Sequence, residues 1–300
     1  MRTVYYIVFL SFVYASSGLA QFDGQSAFSY LEKQVSFGPR NPGSNGHVQC
    51  LLFLQNELGK FADQVRLQPF DYQDLSAKKL LKLTNIIASF KPRASARLFL
   101  AAHWDTRPTA DNDRLYNRQT PIPGANDGAS GVAVLLEIAR RLKSKPPAVG
   151  VDLIFFDGED YGREGHLDEY FLGSRYYARH ARNYAPRYGI LLDMVGDANL
   201  AIPREANSVA ALPQVVERVW QLAHSLGYYE FEDRIGLPVS DDHVVLMQYG
   251  IPCIDIIDFE YPDKHNRYWH TLQDTPDKCS DYSLQVVGDV MLQLIYSEKP

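Results

Sequence analysis

Apolar positions along this chain fall into two kinds of run, and their order predicts the architecture. Short β-prone runs cover Val65–Tyr72, Leu83–Phe90, Arg97–His103, residues 151–157, Tyr188–Asp193 and Gly250–Ile257, bounded by Gly, Pro, Asn or Asp. Segments with apolar residues at helical spacing lie before and between them: Ser26–Val35, His47–Phe61, the run from Val132, one from about Ser174, Leu212–Leu226 and Ser283–Ile295. Strands alternating with helices predict a three-layer α/β/α sandwich around a mixed, mostly parallel central sheet. No repeat, linker or shift of composition interrupts the pattern, so a single domain is expected over residues 21–300.

The first twenty residues are of another kind. Met1-Arg2 is followed by an apolar run from Val4 to Tyr14, too short to span a bilayer, and then by small residues ending at Gly18-Leu19-Ala20. That predicts a signal peptide cleaved after Ala20 and an extracytoplasmic protein, periplasmic or secreted. No later stretch is apolar and long enough for a membrane span. Three cysteines, Cys50, Cys253 and Cys279, allow at most one bridge, and without a CxxC pair they do not suggest a sulfur metal site. A net charge of −6 argues against nucleic acid as the main partner.

Chemistry enters where the apolar strands end. The run Val151–Phe156 leads through Asp-Gly into adjacent carboxylates, Glu159 and Asp160. In α/β sheets ligands bind beyond the carboxyl ends of strands, so such acids are candidates for catalysis. The same placement recurs at His103 and Asp105, Asp127, Asp193 and later His270. Taken singly, Asp127 also reads as a helix N-cap, Asp193 as a solvated strand end and His103 as a buried core histidine. Jointly, imidazole and carboxylate oxygens delivered by separate strand ends and helix starts suit a zinc site with an open position.

The series Ala102-His-Trp-Asp105, Gly124-Ala-Asn-Asp127, Phe155-Phe-Asp-Gly-Glu-Asp160, Leu191-Leu-Asp193, Ser240-Asp-Asp-His243 and Tyr268-Trp-His-Thr271 resembles the zinc aminopeptidase superfamily, peptidase family M28. Within it, the series is most similar to the animal-type glutaminyl-peptide cyclotransferases and their bacterial relatives, from about Phe37 to the C-terminus. The resemblance implies a zinc aminopeptidase-like fold and one zinc ion held by Asp127, Asp160 and His270. It implies Glu159 as the acid/base, Asp193 and Asp241 as a hydrogen-bonding relay, and Trp269 as a flat wall of the substrate pocket. Trp269 also reads as an aromatic packed under a strand end. The implied reaction converts the N-terminal glutamine of peptides or proteins to pyroglutamate with release of ammonia.

Several positions depart from the animal enzymes that the chain resembles. Asp160 stands where they carry glutamate, Asp255 where they have histidine, and Gly165 where they have a tryptophan; Ala102 and Val132 match their bridged cysteines. These departures point to a bacterial-type branch. Two other readings remain open. In an M28 aminopeptidase, His103 and Asp193 hold a second zinc ion, Asp127 bridges, and metal-bound hydroxide cuts the N-terminal peptide bond. In a non-catalytic binding domain the fold is kept without its chemistry, although Glu159 and all three proposed ligands are present.

Overall fold

The computed structural model of the chain describes residues 21–300; the expected leader over residues 1–20 lies outside them. Two helices open the described chain, α1 (Gly24–Val35) and α2 (Asn45–Phe61). Their starts are set by side-chain caps: Asp23 accepts from the Ser26 N–H and Ser44 from the His47 N–H. The hairpin β1 (Gln64–Asp74) and β2 (Lys79–Phe90) follows, and then β3 (Arg97–His103), α3 (Ser130–Ser144) and β4 (Gly150–Phe156). After the second acid-bearing loop come α4 (Leu172–His180) and β5 (Gly189–Asp193).

The sheet has the order β1-β2-β4-β3-β5 and then β8 (Cys253–Ile257). Its first two pairings are antiparallel and its last three parallel, which matches the predicted mixed sheet. Strand alternation sends Leu98, Leu100 and Ala102 of β3 into one core and Phe99 and Ala101 into another. The first core packs under α1, α2, α3 and the C-terminal α8 (Asp281–Ser297). The second packs under α4, which contributes Tyr177 and Ala178. Burial on both faces explains why β4 is apolar almost throughout.

The segment between β5 and Asp242, where one helix over Leu212–Leu226 is expected, holds that helix and further elements. It holds a two-stranded parallel sheet of β6 (Ile202–Arg204) and β7 (Phe231–Ile235), the short α5 (Ala206–Ala211), and α6 (Pro213–Ser225). A further short helix, α7 (Asp242–Gln248), then leads to β8. The added strands are too short to show alternation. Cys50, Cys253 and Cys279 are all free and buried, which answers the question of a bridge. No helix among the described residues is long and apolar enough to cross a membrane.

Candidate active site

The carboxyl ends of β3, β4 and β5 and the start of α3 converge at one edge of the sheet. After β4 the chain turns at Gly158, φ +74°, a left-handed conformation that favours glycine. The turn presents Glu159 and Asp160, and Asp105 fixes both: its carboxylate accepts the Glu159 N–H at 3.0 Å and the Asp160 N–H at 3.3 Å. Asp274 does the same for Asp127, accepting the N–H groups of Asn126 and Asp127 at 2.8 and 3.1 Å and the Tyr261 hydroxyl at 2.9 Å. The α3 helix starts beyond Asp127, with Ala129 at its cap position and no side-chain cap bond. Asp127 is therefore not an N-cap, and its carboxylate is available to the site.

Asp127, Asp160 and His270 are buried and each offers a ligand atom within 4.8 Å of the others. His270 Nε2 lies 3.4 Å from Asp160 Oδ1 and 3.6 Å from Asp127 Oδ2. Its Nδ1 lies 3.4 Å from Asp111 Oδ1, the kind of carboxylate contact that orients a ligating imidazole. His270 also holds φ at +55°, strained for a residue with a side chain. Asp160 Oδ1 accepts from Arg107 at 2.8 Å, whereas its Oδ2 is buried without a hydrogen-bond partner. An orphaned carboxylate oxygen is costly, and a bound cation would remove that cost. Two carboxylates and an imidazole fit a zinc ion with one position open.

His103 lies below this trio, 2% exposed, with Nε2 3.2 Å from Asp127 Oδ1 and 3.1 Å from Asp193 Oδ1. Burial pushes its pKa down, but hydrogen bonds to Asp105, Asp127 and Asp193 outweigh burial and raise it well above the ordinary histidine value. His103, Asp127 and Asp193 also form a second group with ligand atoms within 4.8 Å.

A cavity of about 320 Å³ is lined by Asp127, Glu159, Asp160, Asp193, Asp241, Trp269 and His270, so all seven expected residues meet in one place. Gly165 lines it too, and Asp193 is a wall residue rather than a solvated strand end. Burial raises Glu159 well above the usual carboxylate range; His103 opposes that shift and the charges of Asp160, Asp241 and Asp242 add to it. Asp241 is raised by burial and then by the charges of Asp193 and Asp242. Its Oδ1 accepts the Asp242 N–H at 2.5 Å, and its Oδ2 is buried without a partner.

Trp269 is both packed against neighbouring rings and placed on the cavity wall. Its ring stacks on His270 at 3.7 Å and meets Phe259 edge-on at 5.1 Å, while it lines the cavity. Asp255 does not line the cavity. It is buried on β8 beside His243, whose Nδ1 is 3.6 Å from Asp255 Oδ2. Sequence reasoning missed Arg107, Asp111 and Asp274. The available signal was their closeness in the chain to Asp105 and His270, in polar loops that gave no periodicity.

The model of peptidase family M28 matches residues 85–295. Among solved structures, a Bacteroides thetaiotaomicron glutaminyl cyclase bound to N-acetylhistamine is 42% identical with a TM-score of 0.88, covering 94% of this chain and 100% of that one. A leucine aminopeptidase precursor from the same organism is 43% identical, also with a TM-score of 0.88, covering 94% and 99%. The Mus musculus glutaminyl-peptide cyclotransferase-like protein is 28% identical over 265 residues, 79% of this chain, and the chain spans 66% of that relative's length.

Proposed function

Because the chain belongs to peptidase family M28, we propose that it is a glutaminyl-peptide cyclotransferase, an acyltransferase that closes the N-terminal glutamine of peptides to pyroglutamate. What carries the reading is the meeting, in one cavity, of the Asp127–Asp160–His270 trio with Glu159 and with Asp193 and Asp241.

Asp127, Asp160 and His270 would hold one zinc ion, which would supply Lewis acidity to the reacting carboxamide. Glu159 takes a proton from the substrate's α-amine, whose nitrogen then attacks the γ-carbon. The same carboxyl returns the proton to the departing nitrogen, the C–N bond to ammonia breaks, and a five-membered lactam is left; no water is consumed. Burial holds the Glu159 carboxyl well above the usual carboxylate range, which strengthens its hold on the proton it takes up. Asp193 and Asp241, which line the same cavity, take the hydrogen-bonding relay toward the reacting carboxamide, and burial holds the Asp241 carboxyl well above its usual range. Trp269 closes the pocket as an apolar wall that excludes water from the ring-closing step.

The second reading, a two-zinc aminopeptidase, draws on the His103–Asp127–Asp193 group, which shares Asp127 with the first trio. Ammonia release from a glutamine-initiated dipeptide, run beside an aminopeptidase substrate with and without a chelator, separates the two. Chelator-sensitive ammonia without free amino acids supports the cyclase; free amino acids without ammonia overturn it. The proposal includes a signal peptide over residues 1–20, an extracytoplasmic location, and one catalytic domain over 21–300. Intact-mass analysis of the exported protein checks the cleavage after Ala20, with Gln21 at the new N-terminus free or closed to pyroglutamate.

A further inference from the structure

A second cavity of about 200 Å³ adjoins the first and shares with it Leu237, Val239, Ile257 and Phe259. Nothing in the proposed chemistry uses it. Its shared wall is apolar and continuous with the reaction site: His270 stacks on Trp269, Trp269 meets Phe259, and Phe259 faces both cavities. Pro203 of β6 adds a further apolar surface on the side away from the zinc trio.

Three of the charged groups around this cavity are already engaged. The Glu205 carboxylate accepts the N–H groups of Asn207, Ser208 and Val239 at 2.9, 2.6 and 3.0 Å. Arg234 lies 2.5 Å from Glu232 and 3.4 Å from Glu260. Lys264 and Asn266 also line the cavity. What remains toward the reaction cavity is the apolar wall, part of it open to water: Leu237 is 72% exposed. Leu237 continues, at the surface, the apolar wall that Val239, Ile257 and Phe259 form between the two cavities.

We infer that this cavity is a subsite for the side chain of the residue that follows the N-terminal glutamine, and that it selects a large apolar residue there. The inference rests on the glutaminyl-peptide reading. With the glutamine side chain in the first cavity, the next Cα is about 3.8 Å along the chain, and Leu237, Val239, Ile257 and Phe259 form the wall that the two cavities share. At about 200 Å³ the space is smaller than the reaction cavity of about 320 Å³ and suits one side chain rather than a folded segment.

The test is ammonia release from Gln-Gly, Gln-Ala, Gln-Leu and Gln-Phe amides by the zinc-loaded full chain. Gln-Leu and Gln-Phe are expected to exceed Gln-Gly in kcat/KM by about tenfold or more, mostly through KM. Pro203→Asp places a carboxylate in the second cavity only; it should remove that preference while leaving Gln-Gly turnover unchanged, with Pro203→Ala as the control for folding. If Pro203→Asp does not fold, Lys264→Glu, whose side chain lines the second cavity and not the first, reads the same preference. Equal kcat/KM across the series, or a preference that survives the carboxylate in a folded variant, overturns the subsite while the cyclase reading stands. Absence of ammonia from every peptide overturns the cyclase reading and the subsite with it.

Discussion

Glu159 is the side chain on which the proposed reaction turns, and its role is separable from that of its neighbour. It lines the cavity beside Asp160 without belonging to the zinc trio. Glu159→Gln keeps the shape and removes the proton carrier, so kcat should fall by about 10²- to 10⁴-fold while zinc content stays at one per chain, measured by elemental analysis. His103 gives the complementary test of metal count. In the one-zinc reading it is an ion-paired imidazole, and His103→Gln leaves the zinc content unchanged; a fall from two zinc ions to one would support the aminopeptidase reading instead. The acids and histidines at strand ends were legible in the sequence because a strand's apolar run makes its polar end visible. Asp274 was not, since it acts on the N–H groups of Asn126 and Asp127 from 147 residues or more away. Arg107 likewise reaches Asp160 across 53 residues.

Elements with a clear period or a strong cap were legible, and those held together by tertiary contacts were not. The sequence places β3 at Arg97–His103, as observed, whereas β6 has three residues and exists through pairing with β7. The β1–β2 hairpin shows how an element end supports the site. At its turn, Asp74 accepts the N–H groups of Ser76 and Ala77 at 2.8 Å each, the Ser76 hydroxyl at 2.7 Å, and the hydroxyl of Tyr161 at 2.7 Å. Tyr161 directly follows Asp160, so this contact ties the acid-bearing loop to the edge of the sheet. Burial pushes the Asp74 pKa up, but the four hydrogen bonds outweigh it and hold the value at about 2. A folded-state pKa below the unfolded one means that the stabilisation is complete above about 4 and is lost as pH falls through about 2. Asp74→Ala is expected to cost about 1–3 kcal/mol in urea denaturation at pH 7, and the difference from the parent should shrink as pH falls below about 4.

Across the whole molecule, the sheet gathers acids that are individually costly. Asp127, Asp160, Asp241, Asp242 and Asp255 are all buried near one another, with Glu159 and Asp193 at the same edge. Hydrophobic burial on both faces of the sheet supplies the stability against which this concentration of like charge is maintained. A cation bound by Asp127, Asp160 and His270 would offset part of that repulsion only in the folded chain, since the three ligands are far apart in sequence. Binding that is confined to the folded state adds stability by mass action, about 2.7 kcal/mol when free zinc is 100 times its dissociation constant. For a chain of this size that corresponds to a rise in Tm of roughly 4–5 °C. Removal of zinc by a chelator should therefore lower Tm by that amount and abolish ammonia release together, and zinc addition should restore both. In Asp160→Ala the chelator should change Tm by less than about 2 °C, because the site that links metal to folding is gone. A full chelator effect on that variant would place the stabilising ion at another group, such as His103, Asp127 and Asp193, and would move the assignment toward the two-zinc hydrolase.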